Sequence, residues 1–191
     1  LSGNYGNTAT SDGTSIAEGG CTLYLLRVQL PDTGTSSSIT ARLSYYSASG
    51  EEPWDYAFVI YADSSGEPGS LLAHVHGTHT DESGTVASVT ETIEYNFSSS
   101  GYYWIGVFGQ GLGPQPYASS TSGATARYYM NCTWSETDPP ATGSTAGTED
   151  TPWNAYNMEV YITFPEGGAS STSIFRRRLN ILLRLCFSSI S

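Results

Sequence analysis

Cys21-Thr22-Leu23-Tyr24-Leu25-Leu26-Arg27-Val28-Gln29-Leu30 is the stretch on which the fold turns. It is short, apolar and rich in residues that suit a pleated surface, and Pro31-Asp32-Thr33-Gly34 ends it with turn chemistry, so it reads as a buried strand. Downstream, Ser38 to Tyr46 alternates polar and apolar residues as a half-exposed strand does. Ala57 to Ala62, Leu71 to His76, Val86 to Phe97, Tyr102 to Phe108, Ala124 to Trp134 and Asn157 to Phe164 follow at short intervals. Roughly eight strands separated by turn-rich segments predict an all-β, two-sheet antiparallel sandwich or barrel. Nothing before Ser170 reads as a helix.

Three segments follow from that pattern. Residues 1–20 are polar and Gly-rich without periodicity, residues 21–168 carry the strands, and residues 169–191 form a basic tail. In the tail, Phe175, Leu179, Leu182 and Cys186 fall at helical spacing opposite Arg177, Asn180, Arg184 and Ser188, which predicts a short amphipathic helix. Such a helix is too short to cross a bilayer and is expected to pack on the sandwich or to be an extension of different composition; a membrane-surface or partner-docking role is the alternative.

Charge narrows the partners. All seven basic residues are arginines, and only Arg27, Arg42 and Arg127 precede Arg176, so residues 1–175 carry −15. That surface repels nucleic acid and anionic lipid. It suits neutral glycans, cations or self-association. The chain begins at Leu1 and holds no run resembling a signal peptide or a membrane span, which reads as a mature or trimmed exported product, secreted or at the cell surface. Cys21 and Cys132 lie in strand-like segments and are candidates for a disulfide, with two reduced, buried thiols as the alternative. Asn96-Phe97-Ser98 and Asn131-Cys132-Thr133 are sequons.

Ile60-Tyr61-Ala62-Asp63-Ser64-Ser65-Gly66-Glu67-Pro68-Gly69-Ser70-Leu71-Leu72-Ala73 resembles a segment of extracellular bacterial and phage-associated β-sandwich modules, in which a strand ending Y-A-D meets a Gly/Pro turn and then L-L-A. Gly101-Tyr102-Tyr103-Trp104-Ile105-Gly106-Val107 and Asn157 to Phe164 are similar to two later strands of the same modules. The resemblance implies a jelly-roll, carbohydrate-binding-like exodomain without catalytic residues. In the turn itself, Gly66 and Gly69 can take positive φ, Pro68 fixes its own, and Asp63 can cap through its side chain. Asp63 and Glu67 also offer oxygens for a structural Ca²⁺.

Candidate chemistry is sparse. His74 and His76 would point to one side of a strand and present two imidazoles to a metal, an arrangement similar to the H-x-H of cupins; polar residues facing water are the alternative. No G-x-S-x-G elbow exposes a serine nucleophile. The aromatics Trp54, Tyr117, Trp134 and Trp153 lie in or beside loops, where a flat ring stacks on a sugar. Phe58, Tyr103, Trp104 and Tyr161 sit within strands as core. The sequence therefore points first to a non-catalytic glycan-binding module, then to a subunit of an extracellular filament or virion joined through its terminal segments. A metal-dependent enzyme built on His74 and His76 comes third.

Overall fold

A computed structural model of the chain describes residues 1–9, 14–15, 21–44, 54–79, 86–109, 115–119, 125–130, 132–133, 138–149 and 157–166. Its strands are β1 (Gly3–Gly6), β2 (Thr14–Ser15), β3 (Thr22–Leu30), β4 (Gly34–Thr35), β5 (Ser38–Ser44), β6 (Trp54–Ser64), β7 (Glu67–His79) and β8 (Val86–Thr92). They continue with β9 (Asn96–Phe97), β10 (Gly101–Gly109), β11 (Gln115–Ser119), β12 (Ala126–Met130), β13 (Thr148–Glu149), β14 (Asn157–Met158) and β15 (Val160–Phe164). A single 3-10 turn, Gly143–Thr145, is the one helical element among the described residues.

All pairings are antiparallel. One sheet runs β1-β15-β5-β8, and the other runs β7-β6-β10-β3, extended past β3 by β12 and β13. Numbered by chain order, those eight principal strands lie 1-8-3-6 in one sheet and 2-7-4-5 in the other, which is the double Greek key of a jelly roll. The sandwich predicted from the sequence is present, and its topology is the jelly roll.

Side-chain alternation builds the core. Tyr24, Leu26 and Val28 of β3, Phe58 and Ile60 of β6, and Ile105 and Val107 of β10 face Ile39 and Ala41 of β5 and Val160 and Ile162 of β15. The opposite set does not all meet water. Leu23, Leu25, Val59, Tyr61, Trp104, Phe108 and Tyr129 form a second apolar cluster on the outer face of the β3 sheet. A strap through residues 138–149 lies against it: the Tyr61 hydroxyl donates to the Pro140 carbonyl at 2.8 Å, and the Leu71 amide donates to the Ala141 carbonyl at 2.9 Å. Strand β3 is thus covered on both faces at its start, the usual reason for a near-continuous apolar run.

Differences from the sequence reading lie in short, polar strands. Gly3–Gly6 pairs with β15 in register Gly3 to Phe164, so the polar N-terminal segment supplies the first strand of the sandwich. Gln115–Ser119, between the expected strands Tyr102 to Phe108 and Ala124 to Trp134, replaces β15 beside β5 at Leu43 and Ser44. Tyr103 and Tyr161, expected in the core, are only half-buried. The basic tail 169–191 lies outside the described residues.

Candidate functional site

The β6–β7 hairpin sets the site. Its two-residue turn needs positive φ twice, and Ser65 at 56° and Gly66 at 93° supply it. Gly69 does not adopt positive φ; a Cβ there would stand 3.2 Å from both the Ala62 carbonyl oxygen and the Ser64 Cβ, so close packing beside the bulge is what favours glycine. Asp63 caps the turn as expected, accepting from the Gly66 amide at 3.1 Å.

That carboxylate does more than cap. Arg27 on β3 donates to it through Nε at 2.7 Å and Nη2 at 3.0 Å, and the Trp104 indole N–H on β10 donates at 2.9 Å. The Asp63 side chain retains 14% exposure, and the Arg27 hydrogen bond holds its carboxyl below the usual range. The guanidinium, fixed by this fork, lies over the Tyr102 ring at 3.9 Å from the centroid. Tyr102 is 44% exposed, the exposed large aromatic among the described residues, whereas Trp104 two positions on is fully buried.

A second fork borders the first. Arg127 on β12 donates to Glu67 through Nη2 at 2.7 Å and Nε at 3.0 Å and meets Glu149 of β13 at 3.3 Å. Its guanidinium stands 5.8 Å from the centre of the Trp104 ring, and its presence lowers the Glu67 carboxyl. The result is a platform on the outer face of β12, β3, β10 and β6: Arg27, clamped by Asp63, against the open Tyr102 ring, and Arg127, clamped by Glu67 and Glu149, farther along beside Trp104. An open cleft of ≈ 300 Å³ adjoins Arg27 at the side of the sandwich, lined by Gly6, Asn7, Gln29 and Asn157 among others.

The residues singled out in the sequence separate on this framework. Asp63 and Glu67 each direct both oxygens to an arginine rather than to a shared cation position. His74 and His76 lie on edge strand β7 opposite Val59 and Ala57, half-buried, with rings edge to face at 5.4 Å. Among the described residues, no group of three or more His, Cys, Asp or Glu side chains is arranged to hold a metal ion. Tyr117 belongs to strand β11, where the Arg42 guanidinium sits 4.7 Å above its ring and Glu159 pairs with that arginine at 3.3 Å. The backbone of Trp54 opens β6; its side chain, Trp134 and Trp153 lie outside what the structure describes. Asn96 is exposed, and Asn131 is outside the described residues. Cys21 and Cys132 are free thiols placed side by side at the β3–β12 end of the outer cluster.

Comparison with protein-family models, characterised proteins and solved structures finds no match. Tyr102 and Arg27, central to the platform, were not among the binding candidates in the sequence. A weak signal existed: Tyr102, Trp104 and Phe108 share one face of a strand whose other face, Ile105 and Val107, is already apolar.

Proposed function

We propose that the chain is a non-catalytic extracellular binding module of the carbohydrate-binding kind, with the Tyr102 platform as its contact surface. The observation that carries this is the Tyr102 ring, open to solvent on one side and held on the other by an arginine locked to Asp63. Flat, rigid, amphipathic surfaces suit the C–H face of a pyranose, and a ring already fixed in place loses little entropy on binding. All three arginines of the sandwich pair with acids, and residues 1–175 remain strongly negative, which favours a neutral glycan over an anionic polymer.

The test is a glycan array with the intact protein, Tyr102→Ala, and a triple substitution of Trp54, Trp134 and Trp153. Tyr102→Ala is expected to weaken binding about 10-fold or more, equivalent to ~1.4 kcal/mol, with an unchanged melting temperature. Full binding by Tyr102→Ala together with loss in the triple variant would move the contact surface to the loop tryptophans.

One observation favours self-assembly as a second reading. Among the described strands, β1 pairs with β15 alone, the type of element a neighbouring copy can supply. Light scattering of the full chain and of a form lacking residues 1–9 decides: a full-length monomer at high concentration excludes assembly through β1.

A further inference from the structure

Cys21 immediately precedes β3, and Cys132 follows β12, its antiparallel neighbour, so strand pairing returns the chain to the same point. The last paired residues are Thr22 and Met130, and beyond them the Cys132 amide donates to the Cys21 carbonyl at 3.1 Å. Both side chains join the outer apolar cluster with Leu23, Tyr61 and Tyr129, and the Cys132 thiol donates to the Tyr129 carbonyl at 3.5 Å. The neighbouring Cys132 and burial push the Cys21 thiol up. Cys21 is half-buried and open to a small reagent; Cys132 is 8% exposed.

We propose that Cys21 and Cys132 form a disulfide in the oxidised protein, pinning β12, and the carboxylate clamp that Arg127 carries, to β3. Two cysteines packed in one cluster, on backbones joined by a hydrogen bond, are placed to close the bond with little movement. The reaction is thiol–disulfide exchange with a small disulfide such as oxidised glutathione. One thiolate of the pair attacks a glutathione sulfur and expels a glutathione thiolate; the other cysteine then attacks the mixed disulfide and expels the second. The protein thiols lose two electrons and two protons, and one oxidised glutathione becomes two reduced ones. A bond closing roughly 110 residues restricts the unfolded chain strongly and belongs to an oxidising compartment, as expected of an exported protein.

Peptide mapping of the full chain tests this directly. Trypsin cleavage at Arg27, Arg127 and Arg184 leaves Cys21, Cys132 and Cys186 in separate peptides. After equilibration with oxidised glutathione and alkylation, the expected product is a Cys21 peptide joined to a Cys132 peptide, two hydrogens lighter than their sum, with Cys186 outside the bond. Reductant is expected to lower the melting temperature by ~10 °C, and Cys21→Ser is expected to abolish that response. Alkylation of both Cys21 and Cys132 after oxidation, or a bond from either to Cys186, overturns the proposal. A linked pair whose melting temperature ignores reductant overturns the pinning role.

Discussion

Gly106→Ala is expected to destabilise the protein by about 3 kcal/mol or more, the largest single-methyl effect in the sandwich. Gly106 lies on β10 between β3 and β6, opposite Leu25 and Val59. A Cβ there would run into the Tyr24 carbonyl and come within 3.0 Å of the Leu25 Cα. Those are backbone atoms of the central strand, with no rotamer to turn aside, so the two strands must separate and the ladder between them weakens. In a chain of this length the melting temperature should fall by ~10 °C. Gly66→Ala is the control. Gly66 has φ 93° but nothing within 4 Å of a built Cβ, so it carries conformational strain alone, about 1 kcal/mol. Urea unfolding of both variants checks this; equal losses would mean that close packing of β10 on β3 is not the constraint.

Asp63→Ala is expected to cost about 2–3 kcal/mol and to disorder the platform. It strips Arg27 of both fork bonds, leaves the fully buried Trp104 indole without its acceptor, and removes the Gly66 turn cap. Solvent reaching Arg27 keeps the loss below that of a fully enclosed ion pair. Asp63→Asn keeps an acceptor for Trp104 and should lose roughly half as much. The carboxyl is held below its unfolded value by Arg27, so its contribution is complete above about pH 4 and disappears as pH falls through the depressed folded value. Unfolding measured from pH 7 to pH 2 should therefore show a smaller pH slope in Asp63→Asn than in the natural protein. Identical slopes would detach Asp63 from the stability of this face.

Much of the fold was written in local pattern. The eight segments read as strands correspond to β3, β5, β6, β7, β8 with β9, β10, β12, and β14 with β15, because each is long enough for its apolar content to show. Gly3–Gly6 was illegible: Gly-Asn-Tyr-Gly has no period, and it becomes a strand only because β15 offers an edge to it. Gln115–Ser119 was hidden by Pro116 and by brevity; it pairs with β5 through two residues and with β14 through two more. At the site, Asp63 was readable as a turn cap because its target lies three residues away. Its larger role was not, since Arg27 is 36 positions upstream and meets it across β10. Tyr102 was illegible as a surface aromatic because it lies within a strand; it is exposed at the start of β10, beyond the second apolar cluster.

The Trp104 indole N–H bonds to Asp63, which holds Arg27 over Tyr102, so its NMR signal reports on the platform itself. The most direct test of the binding claim is a titration of nitrogen-15-labelled protein with neutral cello-, xylo-, manno- and chito-oligosaccharides, following the Trp104 indole and Arg27 Nε–H resonances. A saturable shift of both with at least one of these sugars, absent in Tyr102→Ala, is the predicted result. No shift with any of them, or saturable binding that leaves both resonances in place, would contradict it.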